Sequence, residues 1–129
     1  MADGDQTFVI TRDTRAAVRR REQDSVWEIV ATATFDSDDT TAVELSIPIN
    51  GVLTEEILDL PATTTTSTTT QLLIKDNGDN TVFDSGEQDE NDTYFFSAIR
   101  YLSGTIDISL EPSEAYGSSE TLTVTLRGV

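Results

Sequence analysis

Apolar and polar residues alternate along much of this chain, and that pattern predicts β-strands. Over residues 42–49 the alternation places these apolar side chains on one face: Val43, Leu45, Ile47 and Ile49. Successive side chains of a strand point to opposite faces, so the spacing indicates one buried and one solvated face. Pro48 falls on the solvated face and has no N–H, so this strand should lie at a sheet edge or a bulge.

Other segments follow the same rule. Residues 26–35 place these apolar side chains on one face: Trp27, Ile29, Ala31, Ala33 and Phe35. Residues 104–110 and 120–127 also alternate, and residues 93–96 form a short aromatic strand. A further strand is indicated within residues 52–60, although a helical turn at its start remains an alternative.

Turn residues separate these segments. Asn50-Gly51 predicts a turn, because both residues tolerate positive φ. The apolar run at residues 71–74 enters a turn rich in Asp, Asn and Gly at residues 76–80, and a second apolar run leaves it. Asp and Asn side chains bond to the backbone two residues on, so the chain should reverse here as a β-hairpin.

Seven or eight strands with regularly spaced turns predict an all-β fold, an antiparallel two-sheet β-sandwich of the jelly-roll or Ig-like kind. Its predicted core combines the inward residues of several strands: Val43, Leu45, Ile47, Leu73, Ile106, Ile108, Leu122, Val124 and Leu126. Residues 62–70 are nearly all threonine, which favours a strand or an extended edge, with a flexible loop as the alternative.

The charge divides the chain near residues 24–25. The chain has 24 acidic and 8 basic residues and a formal charge of −16. Residues 1–25 have no net charge, so the acidic β domain of residues 26–129 carries the whole excess. Residues 1–25 lack an apolar stripe at helical spacing and are predicted to be an N-terminal arm, helical or extended, that contacts a partner. We expect the domain to fold without this arm.

The arm supplies the candidate binding residues. Apolar side chains can anchor it to a partner, and guanidinium groups can form charge-assisted hydrogen bonds to carboxylates there. The predicted partner-binding residues are Phe8, Val9, Ile10, Arg12, Arg15, Arg19, Arg20 and Arg21.

Composition limits the chemistry. The chain has no cysteine and no histidine, which removes disulfides, thiolate metal sites and the usual general base. The acids lie in polar loops where nothing would raise a pKa for acid catalysis, so we expect no enzyme and no cofactor. The turn from Asp76 to Asp84 resembles a calcium loop. Such a loop needs a carboxylate at its third position and a glycine at its sixth, where this chain has Gly78 and Thr81, and a plain hairpin explains the same residues.

Charge and hydropathy also restrict the partners. The acidic domain should repel nucleic acid and anionic membranes. No segment approaches the roughly 18 consecutive apolar residues of a membrane span, and the first residues lack the features of a signal peptide. The sequence therefore predicts a product of the cytoplasm.

The aromatic residues are Trp27, Tyr94, Phe95, Phe96 and Tyr101. They could line a sugar-binding face, but aromatic residues in strands more often belong to the core.

The order of strands and turns over residues 42–129 resembles small β-sandwich virion proteins of tailed bacteriophages. The segments that carry the resemblance include Pro61-Ala62-Thr63 with its threonine run, Leu72-Leu73-Ile74-Lys75-Asp76, Val82-Phe83-Asp84-Ser85-Gly86, Leu102-Ser103-Gly104-Thr105-Ile106 and Leu122-Thr123-Val124-Thr125-Leu126-Arg127. The resemblance implies a capsid decoration (cement) protein in the virion, bound to the major capsid protein or other virion proteins and to copies of itself. A neck or tail accessory protein and a carbohydrate-binding module are the alternatives.

Overall fold

The computed structural model describes residues 6–15, 26–65 and 67–129, and within these residues the fold is an antiparallel assembly of eight strands. The strands are β1 (Thr7–Asp13), β2 (Trp27–Phe35), β3 (Val43–Leu60), β4 (Thr69–Lys75), β5 (Thr81–Asp89), β6 (Asp92–Phe96), β7 (Arg100–Pro112) and β8 (Glu120–Gly128). The predicted all-β antiparallel class is confirmed.

Hydrogen bonds connect all eight strands, and β3 divides them into two sheets because it belongs to both. The first half of β3, residues 43–53, pairs with β7, while residues 53–59 pair with β8 and residues 56–60 pair with β6. The β8 sheet therefore has the order β1-β2-β8-β3-β6, and the β7 sheet has the order β3-β7-β4-β5. The turn expected at Asn50-Gly51 is wrong, because the backbone stays in register with β7 through both residues.

The change of partner takes place at a corner built on two glycines. Gly51 has a φ of +150°, and a Cβ added there would lie 2.7 Å from the carbonyl oxygen of Val129. A Cβ on Gly128 would overlap the carbonyl oxygen of Val52 and the indole of Trp27. Two backbone hydrogen bonds of 2.8 and 2.9 Å join Val52 and Val129 at the same place. Glycine is needed here because three backbone and ring segments meet with no room for a side chain.

The inward residues of both sheets form one core. The alternation in β2 and in the first half of β3 is confirmed, with Pro48 exposed on a stretch of β3 that has a strand partner on one side only. Leu73 is the exception among the predicted core residues. Its neighbours Leu72 and Ile74 are fully buried and Leu73 points outward, because the pairing of β4 with β7 sets the opposite phase.

A tyrosine in the loop between β7 and β8 joins the two sheets. The Tyr116 ring packs edge-on against Phe35 of β2 with 5.3 Å between centroids, and its hydroxyl lies 2.7 Å from Thr70 Oγ1 of β4. Burial raises the pKa of Tyr116 to about 12. Tyr116 falls between the alternating segments predicted at residues 104–110 and 120–127, and nothing in the local pattern indicates that it is core.

The hairpin of β4 and β5 is confirmed, whereas most of the threonine run lies outside strands. Of the threonine run, only Thr69 and Thr70 belong to β4. The earlier part is nevertheless held by hydrogen bonds: Thr63 N donates to Glu90 Oε2 at 2.9 Å and Thr65 N donates to the Tyr116 carbonyl at 2.9 Å. These bonds connect the run to two other loops.

Part of the predicted arm is a strand of this chain's own sheet. β1 pairs with β2 from Thr7↔Thr34 to Asp13↔Ile29, with a bulge between Ile10 and Arg12. Phe8 is only 8% exposed and belongs to the core. Removal of residues 1–24 would therefore remove an edge strand and a core side chain, so we no longer expect that deletion to leave the domain intact.

Replacement of Gly128 by alanine should destabilise the protein by at least about 3 kcal/mol, the upper end of the cost of overpacking. The new methyl group would displace Trp27 or separate β3 from β8. Gly86→Ala is the control, because Gly86 has a φ of +67° but no atom within 4 Å of an added Cβ. That variant should lose only about 1–2 kcal/mol from its backbone conformation. Urea unfolding of both variants measures the difference, and equal losses would contradict the role of the corner.

Candidate attachment face

The structure divides the predicted binding residues into three groups. Phe8 is buried in the core, and Arg15 is occupied within the chain, where its guanidinium binds both carboxylate oxygens of Asp13 and the carbonyl of Pro48. These bonds from Arg15 lower the pKa of Asp13. Both residues were expected to contact a partner, and here they stabilise the position of β1.

The second group is exposed on β1. Val9 is 52% exposed and Ile10 is 38% exposed. Arg12 lies beside them, with its side chain largely in solvent and its Nε 3.4 Å from Glu28 Oε1. The third group, Arg19, Arg20 and Arg21, lies outside the described residues.

The outer face of the β8 sheet is covered mainly by threonine and apolar side chains. These residues alternate with buried ones along their strands and lie in register across the sheet. They are Thr7, Val9, Val30, Thr32, Thr34, Thr93, Phe95, Thr121, Thr123 and Thr125. Ile57 lies on the same side of the sheet but is buried, with 9% of its surface exposed. Asp59 interrupts this set, and it accepts a hydrogen bond from Thr93 Oγ1 at 3.0 Å. We call this surface the threonine face.

An ion-pair network closes one end of the threonine face. Arg127 of β8 contacts Glu28 of β2 at 2.9 Å and Glu55 of β3 at 2.8 Å. The hydrogen bonds that Arg127 donates to Glu28 and Glu55 raise the pKa of Arg127. Arg12 adds a second guanidinium on the other side of Glu28. The charges at this end therefore largely neutralise one another.

The outer face of the β7 sheet is acidic by contrast. The exposed carboxylates that project from its strands are Glu44, Asp84, Glu87, Asp89, Asp107 and Glu111. Lys75 is the cation among them, and its Nζ lies 3.5 Å from Asp79 of the neighbouring turn. We call this surface the acidic face. Among the described strands, exposed carboxylates therefore project mainly from the acidic face, whereas those of the threonine face are few and bonded to Arg127 or Thr93.

The turn between β4 and β5 uses its carboxylate internally. Asp76 Oδ1 accepts hydrogen bonds from the N–H groups of Asn80 and Gly78, both at 2.9 Å, and from the Asn80 side-chain amide at 3.2 Å. These bonds, with Asn80 N–H first, lower the pKa of Asp76. Over the described residues, no group of three or more acidic side chains is arranged to hold a metal ion.

The aromatic residues do not share one environment. Trp27 is buried, and Tyr94 and Phe96 pack partly against the core. Phe95 is 67% exposed and Tyr101 is 87% exposed, which differs from the core position predicted for them. Phe95 lies opposite Ile57 on the β8 sheet, whereas Tyr101 lies opposite Val52 where β7 meets the corner of β3.

Sequence reasoning missed a buried carboxyl group. Glu56 faces the core between β6 and β8 and is fully buried, because the bulge near Leu53 shifts the phase of the second half of β3. Its Oε1 accepts a hydrogen bond from Ala98 N at 3.1 Å, and its Oε2 has no hydrogen-bond partner among the described residues. Burial raises the pKa of Glu56 to about 7. Only the bulge reveals this position, and the sequence gives no signal of it.

The chain was compared with known proteins. No protein-family model matches it. No curated protein matches it. Among solved structures it is similar to a mitogen from Yersinia pseudotuberculosis, with 11% identity over 77% of this chain and 83% of that chain and a TM-score of 0.41. A family 22 carbohydrate-binding module from Clostridium thermocellum shares 11% identity over 98% of this chain and 83% of that chain, with a TM-score of 0.43.

A viral protein is also among these structures. In infectious bursal disease virus Gt strain, the similarity covers 95% of this chain and 32% of that chain, with 9% identity and a TM-score of 0.37. Similarity at this level carries no inference about function. No helix among the described residues is long and apolar enough to cross a membrane.

Calcium should leave the melting temperature unchanged, because the turn already directs its N–H groups and an amide to Asp76. The measurement is a thermal scan with EDTA and with millimolar calcium chloride, run in parallel on wild type and Asp76→Asn. A rise of several degrees in wild type that is absent from the variant would establish a metal site instead.

Glu56 should make the protein less stable as the pH rises. The unfolded chain loses this proton near pH 4.5 and the folded chain near pH 7, so the folded state binds more protons between these values. The free energy of unfolding should fall across that interval by up to about 3 kcal/mol relative to Glu56→Gln. Urea unfolding of both proteins at pH 4.5, 6 and 8 measures this difference. A constant difference would show that the carboxyl group titrates normally.

Proposed function

We propose that this chain is a non-enzymatic structural protein of a virion, and specifically a decoration protein that binds the capsid shell. The observation that supports this proposal is the separation of charge between its two outer faces. The threonine face attaches to the shell, and the acidic face points into solvent. The resemblance to phage virion proteins in strand and turn order agrees with this arrangement.

The threonine face has the composition that protein interfaces favour. The centres of such interfaces are depleted in charged residues, since a buried carboxylate must be paired or protonated. Threonine hydroxyls can donate and accept hydrogen bonds without that electrostatic penalty. Phe95 and Val9 are exposed at opposite edges of this face and provide apolar contacts at each side.

The acidic face suits the solvent side of a particle. Carboxylates that project from β3, β5 and β7 keep copies of the domain from associating through that side. The sequence between β1 and β2 contains Arg19, Arg20 and Arg21. These arginines can bind carboxylates of the shell or of a neighbouring copy.

A non-enzymatic role is favoured by the chemistry of the side chains. The sequence has neither histidine nor cysteine. Glu56 has a raised pKa, but its side chain is buried and faces the core. Its Oε1 accepts a hydrogen bond from the Ala98 N–H, so the carboxyl group is out of reach of a substrate. The exposed carboxylates, by contrast, lie in solvated strands and turns.

Two alternative functions would each involve a different binding partner. A neck or tail accessory protein would use the same threonine face on another virion component. A carbohydrate-binding module is favoured by the exposed rings of Phe95 and Tyr101, which can stack on sugars. These rings lie on different strands near different parts of β3, so they do not form one flat platform.

A charge on the threonine face should abolish attachment. Thr123→Glu in β8 places a carboxylate at the centre of that face, and binding to particles that lack the native protein should fall at least tenfold. Thr105→Glu is the matched control, since Thr105 lies on the outer side of β7 in the other sheet. Both variants should retain the β-rich circular dichroism spectrum. Equal loss in both variants, or none in Thr123→Glu, would contradict attachment through this face, and binding to a glycan array would support the carbohydrate alternative.

A further inference from the structure

The connection between β6 and β7 is held in place by the buried carboxyl group of Glu56. Residues 97–99 form no strand pairing, and Ser97 and Ile99 are exposed on either side of Ala98. The Ala98 N–H donates to Glu56 Oε1 at 3.1 Å. We call residues 97–99 the connector. It covers the end of the core where β6 leaves the β8 sheet and β7 enters the β7 sheet.

We propose that Glu56 and the connector form a pH-sensitive latch. While the carboxyl group is neutral, the connector closes over it. When the group is ionised, its need for water outweighs its stronger bond to the Ala98 N–H, and the connector opens. Release moves Ile99, an exposed apolar residue of the connector.

The geometry gives the latch its direction. A buried carboxylate needs several donors to replace its hydration, and Glu56 receives one N–H while its Oε2 has none among the described residues. On its other sides Glu56 adjoins β6 and β8, which are fixed by strand pairing at Phe96 and Leu126. The connector is therefore the element that can move to admit water.

The surrounding charges leave Glu56 without a close counter-ion. Glu55, next along β3, faces the other side of the sheet, where it is paired with Arg127 of β8. Arg100 of β7 lowers the pKa of Glu56 only in part, and its Nη1 donates to the Ile99 carbonyl at 2.8 Å. On β6 the charged residue is Asp92, at the far end of the strand from Phe96. Glu28 of β2 is held by Arg127 on the outer face.

The latch opens over a defined interval of pH. If the released carboxyl group titrates near 4.5 and the latched group near 7, the opening equilibrium rises between these values and then levels off. The full change is on the order of 100-fold. Acid therefore closes the latch, and neutral pH loosens it.

Hydrogen exchange of the full-length protein tests the proposal. Exchange at the amides of residues 97–101 is measured from pH 4.5 to 8 and corrected for the intrinsic effect of pH on the exchange rate. In wild type the protection of the Ala98 amide should fall on the order of 100-fold and reach a plateau near pH 7. In Glu56→Gln the protection should not depend on pH.

Glu90→Gln is the matched control. Glu90 also holds a loop through a backbone N–H, that of Thr63 at 2.9 Å, but it is only half-buried. This variant should keep the pH dependence of the wild-type connector. If Glu56→Gln does not fold, the infrared band of a protonated carboxyl group in wild type should disappear over the same pH interval as the loss of protection. Protection that is independent of pH in wild type, or an equal dependence in Glu56→Gln, would overturn the latch.

Discussion

The bend of β3 is the constraint on which the rest of the structure depends. β3 is the strand through which the β8 sheet and the β7 sheet are joined, so its corner fixes how the two layers face each other. At the corner Gly51 and Gly128 leave room for Trp27 and for two backbone bonds between Val52 and Val129. A side chain at Gly128 would force these segments apart. The bulge between Leu53 and Glu55 then sets the phase of the second half of β3, and that phase turns Glu56 inward.

The two layers are also joined at their open sides, without disulfides. On one side Gln6 Nε2 donates to the Thr41 carbonyl at 2.9 Å, and Arg15 reaches the Pro48 carbonyl, so both ends of β1 contact the neighbourhood of β3. On the other side Phe83 of β5 and Phe96 of β6 pack with 5.0 Å between ring centroids. These contacts explain why side chains first assigned to a binding arm are occupied within the chain.

The separation of charge between the outer faces follows from the same architecture. Alternating residues of β1, β2 and β8 place threonine outward, and those of β5 and β7 place carboxylates outward. The net charge of −16 therefore describes the chain but not each of its surfaces. An acidic protein of this kind can still attach to an acidic partner through a face that carries little charge.

The sequence by itself determined the all-β class, the inward faces of β2, β8 and the first half of β3, and the hairpin of β4 and β5. Those features depend on local alternation and on turn residues, which act within a few positions of one another. Only the tertiary structure decided that Asn50-Gly51 continues a strand, that Leu73 points outward, that Tyr116 is core and that Phe8 belongs to the sheet. Each of these outcomes depends on pairing or packing between residues far apart in the chain. The distant partner sets the strand register and how closely the backbones approach, and the local sequence pattern does not contain that information.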